Sequence, residues 1–476
     1  MSAEWGKISS KEIAKAISGR VLYGDPRTRF SGFNSDSRTI GQGEVFWAIK
    51  GDRFDGHDFV SRAAMRGASG VVIQKEFQTS LDKLPNCVVI TVGDTLRALG
   101  DLATWWRRQH RTKVAAITGS SGKTTAKEMT AAILHMGNKT LKNPGNHNNL
   151  IGLPITLLKL AKEHRRAVLE MGMNRKGEIA RLTKIANPDA AVILNIGMAH
   201  LEGLGDMDGV AEAKTEIIGH SSPDAKIILN GDDEILMKHA ARFHRPHVKF
   251  GFEEGNDVQA KHIRPHGSEG IAFDLVFEGN VWPVHLRVPG IHNIKNALAA
   301  AAIALCFEEP AEHIVKGLGS FKGVKGRFQN IPLEEDVLLI DDSYNANPSA
   351  LRAALHSAAP LMPKDGRLLV GLGDMLELGE AAIPAHREAG ERVARSGASW
   401  FFVMGSHAKQ MKEGAMDAGM PSSHVVISKT HDELTETIIE KLKPKDMIFL
   451  KGSRKMQFEK VSEGLQRHFG LRSANS

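Results

Sequence analysis

Lys123 and Thr124 close a short glycine loop, Gly119-Ser120-Ser121-Gly122-Lys123-Thr124-Thr125, where the chain carries its clearest chemistry. Glycines let backbone N–H groups approach phosphate oxygens, a Lys ammonium reaches the outer phosphates, and a Thr hydroxyl can hold Mg²⁺. The usual phosphate loop has another glycine five residues before Gly122, and Ile117 stands there instead. The segment predicts a nucleoside triphosphate site, with a ligand-free glycine turn as the alternative. Two more polar residues end apolar runs. Residues 167–169 lead into Glu170, and residues 191–196 lead through Gly197 to His200. Alone, Glu170 reads equally as a solvated carboxylate at a strand end, and His200 as a structural histidine.

The surrounding pattern must position these groups. Residues 114–117 read as a strand and 126–134 as a helix, and helical patterns separate the other short apolar runs. Parallel strands joined by crossovers follow, and in such sheets ligands bind beyond the C-terminal strand ends. Glu170 and His200 then share a face with the glycine loop. The expected class is α/β with three domains. Residues 1–92 form a small α/β N-terminal domain. Residues 93–321 form a central P-loop mononucleotide-binding domain with a parallel sheet, and residues 322–476 a Rossmann-like C-terminal domain. Residues 270–277 and 281–288 alternate across a turn and predict a hairpin. In the last third, runs ending at Asp341, Gly371, Gly405 and Lys451 mark a second binding face.

A chain of 476 residues is too long for one core. Hydrophobic content of 42% and charged content of 25% are ordinary for a globular protein. The longest apolar run, residues 297–307, falls well short of the ~18 residues a membrane span needs. The N-terminus has no apolar signal-peptide core, and Cys87 and Cys306 lie far apart in apolar runs. Buried thiols in a reducing, cytoplasmic setting are expected. The net charge of +7 is dispersed. Its densest patch, residues 105–113, reads as the solvated end of a helix rather than a nucleic-acid footprint.

Taken together, several motifs resemble the Mur ligase superfamily, the ATP-dependent amide-forming enzymes of peptidoglycan synthesis. They are the shortened loop at 119–125, Gly145-Asn-His-Asn-Asn149, Asn195-Ile-Gly-Met-Ala-His-Leu-Glu202, Gly290-Ile-His-Asn-Ile-Lys-Asn-Ala297, Asp341-Asp-Ser-Tyr-Asn-Ala-Asn-Pro348, Gly373-Asp-Met-Leu-Glu-Leu-Gly379 and Lys451-Gly-Ser-Arg454. The last three resemble the member that adds D-alanyl-D-alanine to UDP-N-acetylmuramoyl-tripeptide. The resemblance implies phosphorylation of the tripeptide carboxylate by ATP, then attack on the acyl phosphate by the dipeptide amine. Lys123 would stabilise the transferring phosphoryl group. Thr124 and Glu170 would hold one Mg²⁺, and His200 would help hold a second. Lys214 reads from the sequence as one more helix-surface lysine; the resemblance implies a carbamate bridging to Mg²⁺. Asn296 would meet adenine, Arg327 the phosphates, and Asp342 the ribose. Asn146, His147 and Asn149 would line the tripeptide end. Ser35, Asp36, Ser37 and Arg38, with Asp55 and His57 of the loop 50–59, would meet the UDP end. Tyr344, Asn345, Asp374 and Arg454 would form the dipeptide pocket. A domain approach is implied, because Lys123 and Arg327 must share one nucleotide. A monomer is expected, with no nucleic-acid partner.

The nearest alternative is an amino-acid-adding member of the superfamily. The Asp-Asn-Pro-Arg motif of the diaminopimelate-adding members is absent from the last third. A P-loop NTPase of another class and an inactive binding protein are the other readings. DNA or RNA stimulation would mark the former, and loss of the Lys123, Thr124, Glu170, His200 and Lys214 set would mark the latter.

Overall fold

Val/Ile-rich runs build three β-sheets, each covered by helices, in a computed structural model that describes residues 5–51, 54–77, 84 and 87–471. Residues 1–4, and Asp52 and Arg53 of the loop 50–59, lie outside the described residues. The first sheet has the spatial order Arg20–Tyr23, Val88–Val92, Gly70–Gln74, Glu44–Trp47, Gly32–Asn34, and only its first pair is antiparallel.

The second sheet has nine strands. From Thr140–Lys142 through Arg166–Glu170, Lys113–Thr118, Ala190–Ile193, Lys226–Asn230 and His247–Gly251 to Val258–Pro265, every pairing is parallel. Ile271–Phe277 and Asn280–Leu286 then add the expected hairpin, making the sheet mixed rather than wholly parallel. The third sheet is parallel except for its edge strand Gln329–Pro332, which pairs antiparallel with Leu338–Asp342.

The helix Lys123–Leu134, which follows the glycine loop, is braced by two others. The alanine-rich helix Ile291–Cys306 buries Ala297, Ala299, Ala300, Ala301, Ala302 and Ala304 beside it. In the helix Ala311–Ser320, a side chain at Gly317 would sit 2.5 Å from the Ile133 backbone. Small residues permit this approach, and enlarging one would cost about 1–3 kcal/mol of overpacking.

One apolar cluster runs through both the first and second sheets. Trp5 stacks on Trp106 at 5.2 Å and donates from Nε1 to the Leu158 carbonyl at 3.1 Å. Trp47 Nε1 donates to the Thr95 carbonyl at 2.8 Å. The 105–113 stretch is therefore not simply a solvated helix end. Trp106 and Arg107 are buried, and Arg107 Nη2 donates to Asp189 at 3.1 Å. Cys87 is buried as expected, but Cys306 is only half-buried. Among the described residues, no helix is long and apolar enough to cross a membrane.

Candidate active site

The strand Lys113–Thr118 delivers the loop 119–122 to the N-terminus of the helix Lys123–Leu134. Gly122 has φ +81°, and a Cβ there would lie 2.3 Å from Asn296 Oδ1, so the loop admits only glycine. The 195–197 segment pins the loop. Ser121 N–H donates to Asn195 Oδ1 at 2.9 Å, and Ser120 Oγ donates to the Gly197 carbonyl at 2.9 Å. Lys123 Nζ donates to the Gly119 carbonyl at 2.7 Å. Burial lowers the Lys123 pKa, Glu170 opposes this, and the Arg327 cation adds to it. A partly buried ammonium that donates to a loop carbonyl gains from an arriving phosphate.

Glu170 is 3% exposed and ends the strand Arg166–Glu170. Its Oε2 accepts from Thr124 Oγ1 at 2.8 Å, and its Oε1 accepts from Asn148 Nδ2 at 2.7 Å. Two hard oxygens therefore meet beside Lys123, a donor set that fits Mg²⁺. Arg327 arrives from the third sheet's side. Its Nη2 lies 3.4 Å from Thr124 Oγ1, its guanidinium covers the Tyr344 ring at 4.0 Å, and its buried Nε has no hydrogen-bond partner among the described residues. The approach of Lys123 and Arg327 is thus already made in this structure.

A cleft of about 950 Å³ gathers most of the expected residues. Ser120, Ser121, Gly122, Lys123, Thr124, Thr125, Glu170, His200, Asn296 and Arg327 line it, with Asn146 and Asn149 on one wall. Asp342, Tyr344, Asn345 and Arg454 come from the C-terminal body. Gly119 lies at the loop's start, behind this lining. Both Asp342 oxygens are engaged, Oδ1 by Phe328 N–H at 3.1 Å and Oδ2 by the Lys451 ammonium. Asn149 Oδ1 accepts from Ile151 and Gly152 N–H groups, bracing the turn into the helix Gly152–Leu157.

Lys214 corrects the surface-lysine reading. It is 2% exposed, and no ion pair or hydrogen bond engages its Nζ among the described residues. Burial pushes its pKa well below the ordinary value, and the nearby Lys123 cation pushes it further. His200 has φ 58° and places Nδ1 2.7 Å from Glu377 Oε2; this contact, first among its neighbours, lowers the Glu377 pKa.

Other expected residues lie outside the lining of this cleft, several of them paired locally. Asp36 and Arg38, which flank buried Ser37 and follow Ser35, form a pair, Nη2 to Oδ2 at 2.8 Å. His57 Nδ1 meets Asp55 at 2.6 Å while its Nε2 accepts from Gln74 N–H at 3.0 Å, so it clasps two segments of the first sheet. His147 contributes its carbonyl to Asn143 Nδ2 at 2.9 Å and does not line the cleft. Asp374 accepts from Ser406 N–H at 2.7 Å and His407 N–H at 3.1 Å, which makes it a turn anchor rather than a pocket wall. Asn148, Asn195 and Glu377 were not singled out from the sequence, although each lies in a motif already quoted.

A pinned phosphate loop, a Thr–carboxylate pair and an arginine from a separate sheet define a nucleotide-using α/β enzyme whose site spans two bodies. Residues 29–106 match the Mur ligase family catalytic domain, 117–304 the Mur ligase middle domain, and 326–454 the Mur ligase glutamate ligase domain. The chain is 35% identical to UDP-N-acetylmuramoyl-tripeptide–D-alanyl-D-alanine ligase of Bacillus subtilis, covering 96% of this chain and 98% of that one. MurF from Acinetobacter baumannii superposes with a TM-score of 0.87 at 34% identity, over 96% of this chain and 98% of that one. MurF ligase from Thermotoga maritima, solved in complex with ADP, superposes with a TM-score of 0.82 at 31% identity, over 92% and 97%. The chain belongs to the Mur ligase family.

Proposed function

We propose that this chain joins D-alanyl-D-alanine to UDP-N-acetylmuramoyl-tripeptide, converting ATP to ADP and phosphate. One observation carries the reading: the phosphate loop and Tyr344, Asn345 and Arg454 of the C-terminal body line one cleft. Nucleotide and incoming dipeptide can thus be held against the same carboxylate.

A terminal carboxylate oxygen of the tripeptide attacks the γ-phosphorus, and ADP leaves. Lys123 and Arg327 offset the charge that builds on the transferring group. The dipeptide nitrogen, having lost a proton, then attacks the acyl carbon. The tetrahedral centre collapses with loss of phosphate and leaves an amide. Thr124 and Glu170 are suited to hold one Mg²⁺, with His200 and a Lys214 carbamate toward a second. When bound, these ions neutralise phosphate charge and orient the oxygens. Lys214 fits the modification, because burial and the Lys123 cation both favour the neutral amine, the form that attacks CO₂. Asn296 lies at the loop where a nucleotide base would extend, and Asn146 and Asn149 face the acyl end.

We assign 1–92 to the UDP end, 93–321 to ATP and 322–476 to the dipeptide, in a cytoplasmic monomer. Mass analysis of the product, with ATP, the UDP-tripeptide and the dipeptide omitted in turn, tests the reaction. A UDP-pentapeptide that needs all three is expected. Product with a single amino acid in place of the dipeptide would point to an amino-acid-adding ligase instead.

A further inference from the structure

His200 precedes the short helix Leu201–Leu204 and reaches the cleft from the central body. Its Nδ1 is buried, and no well-angled hydrogen bond engages it among the described residues. The group that meets it comes from the other body: Glu377 Oε2, at 2.7 Å. Backbone contacts fix this approach. The Glu377 carbonyl accepts the Glu202 N–H at 3.2 Å. Gly379 has φ 54°, and a Cβ there would sit 3.4 Å from Glu202 Cα. Ala381 packs on the apolar cluster that includes Leu201 and Leu204. Glu377 itself has φ 65°, a conformation disfavoured for a residue with a side chain and held here by the docked loop.

We infer that Glu377 is a positioning residue for His200: it takes the ring's Nδ1–H and leaves Nε2 as the ring atom offered to the cleft, but only while the C-terminal body is docked. A histidine whose other nitrogen meets a carboxylate is fixed in tautomer and orientation. Released from Glu377, the ring can rotate and exchange tautomers. Activation of the carboxylate would then wait for the body that brings the amine, which spares the acyl phosphate from water. This rests on the ligase reading.

Glu377→Ala and Glu377→Gln test it with three readouts. The first is the ring ¹⁵N shifts of His200, identified by their loss in His200→Gln. The second is positional isotope exchange within ATP when only the UDP-tripeptide is present. The third is the KM for the dipeptide. Removing such a carboxylate is expected to cost about 10- to 100-fold in isotope exchange. In Glu377→Ala the His200 shifts should move toward a tautomer mixture, with dipeptide KM changed less than about threefold. Glu377→Gln, whose amide oxygen still accepts Nδ1–H, should recover most of the exchange and the wild-type shifts. Unmoved His200 shifts in Glu377→Ala overturn the inference, as does intact isotope exchange with only a raised dipeptide KM. The ring signal needs no substrate, so it decides the inference even if the wild-type chain fails to ligate, a failure that would instead overturn the functional reading.

Discussion

The first and second sheets meet across indole rings, whereas the second and third meet mainly across polar groups. Trp5, Trp47 and Trp106 lie in one cluster shared by the first two bodies, and each spends its N–H on a carbonyl of the second. The C-terminal body has its own apolar clusters. It reaches the centre through Arg327 to Thr124, Glu377 to His200, and Ser357 to His292 at 2.9 Å. Apolar burial is lost all at once on separation, whereas polar contacts exchange for water at little net cost. The N-terminal body is thus fastened, and the C-terminal body is the one expected to leave and return with substrate.

The largest effect should fall on the fastened side. Trp106→Ala removes a buried ring and is expected to cost about 3–5 kcal/mol, seen as a lower denaturation midpoint. A similar loss from a substitution on the polar side, such as Arg327→Ala, would erase the distinction. Next comes Lys123→Ala. Ligation should fall by at least about 10²–10³-fold with the midpoint nearly unchanged, because among the described residues Nζ hydrogen-bonds only a loop carbonyl. Lys214 sharpens the same point. Stripping CO₂ from the buffer should lower turnover, and bicarbonate should restore it. Turnover indifferent to CO₂ would contradict the carbamate. Arg327→Ala should lower kcat/KM about tenfold and enlarge the radius of gyration measured with an ATP analogue and UDP-tripeptide. An unchanged radius would show that other contacts hold the body.

The smallest effect concerns the exposed Asp36–Arg38 pair. Hydrogen bonds from Arg38 hold Asp36 at about 2, against an ordinary 3.8. A depressed carboxylate stabilises the fold above its unfolded pKa, and that contribution fades as pH falls from 3.8 through about 2. Arg38→Ala should return the Asp36 titration toward 3.8 by NMR, with little change in stability at neutral pH because the pair is solvated.

These contrasts also mark what was legible in the sequence. The glycine loop, the strand end at Glu170 and the hairpin could be read because local spacing dictates them, whereas the strand before His200 stops at Ile193 rather than at residue 196. The edge strands Arg20–Tyr23 and Gln329–Pro332 could not, being short and defined by distant partners. Lys214 looked like a surface residue because its helix buries both its small and its polar positions. Asp374 and His57 stand outside the cleft lining for one physical reason. A polar side chain in a loop can be wholly engaged by nearby backbone, and only three-dimensional partners reveal whether any capacity remains for a ligand. Glu377 escaped notice because its partner lies in another body.

The account turns on transfer of a phosphoryl group to the tripeptide carboxylate inside the shared cleft. The most direct measurement uses UDP-tripeptide carrying ¹⁸O in its terminal carboxylate, with ATP, Mg²⁺ and D-alanyl-D-alanine. Amide formation through an acyl phosphate must move one ¹⁸O into the released inorganic phosphate. Phosphate without ¹⁸O, or phosphate released at the same rate when the dipeptide is left out, would contradict it.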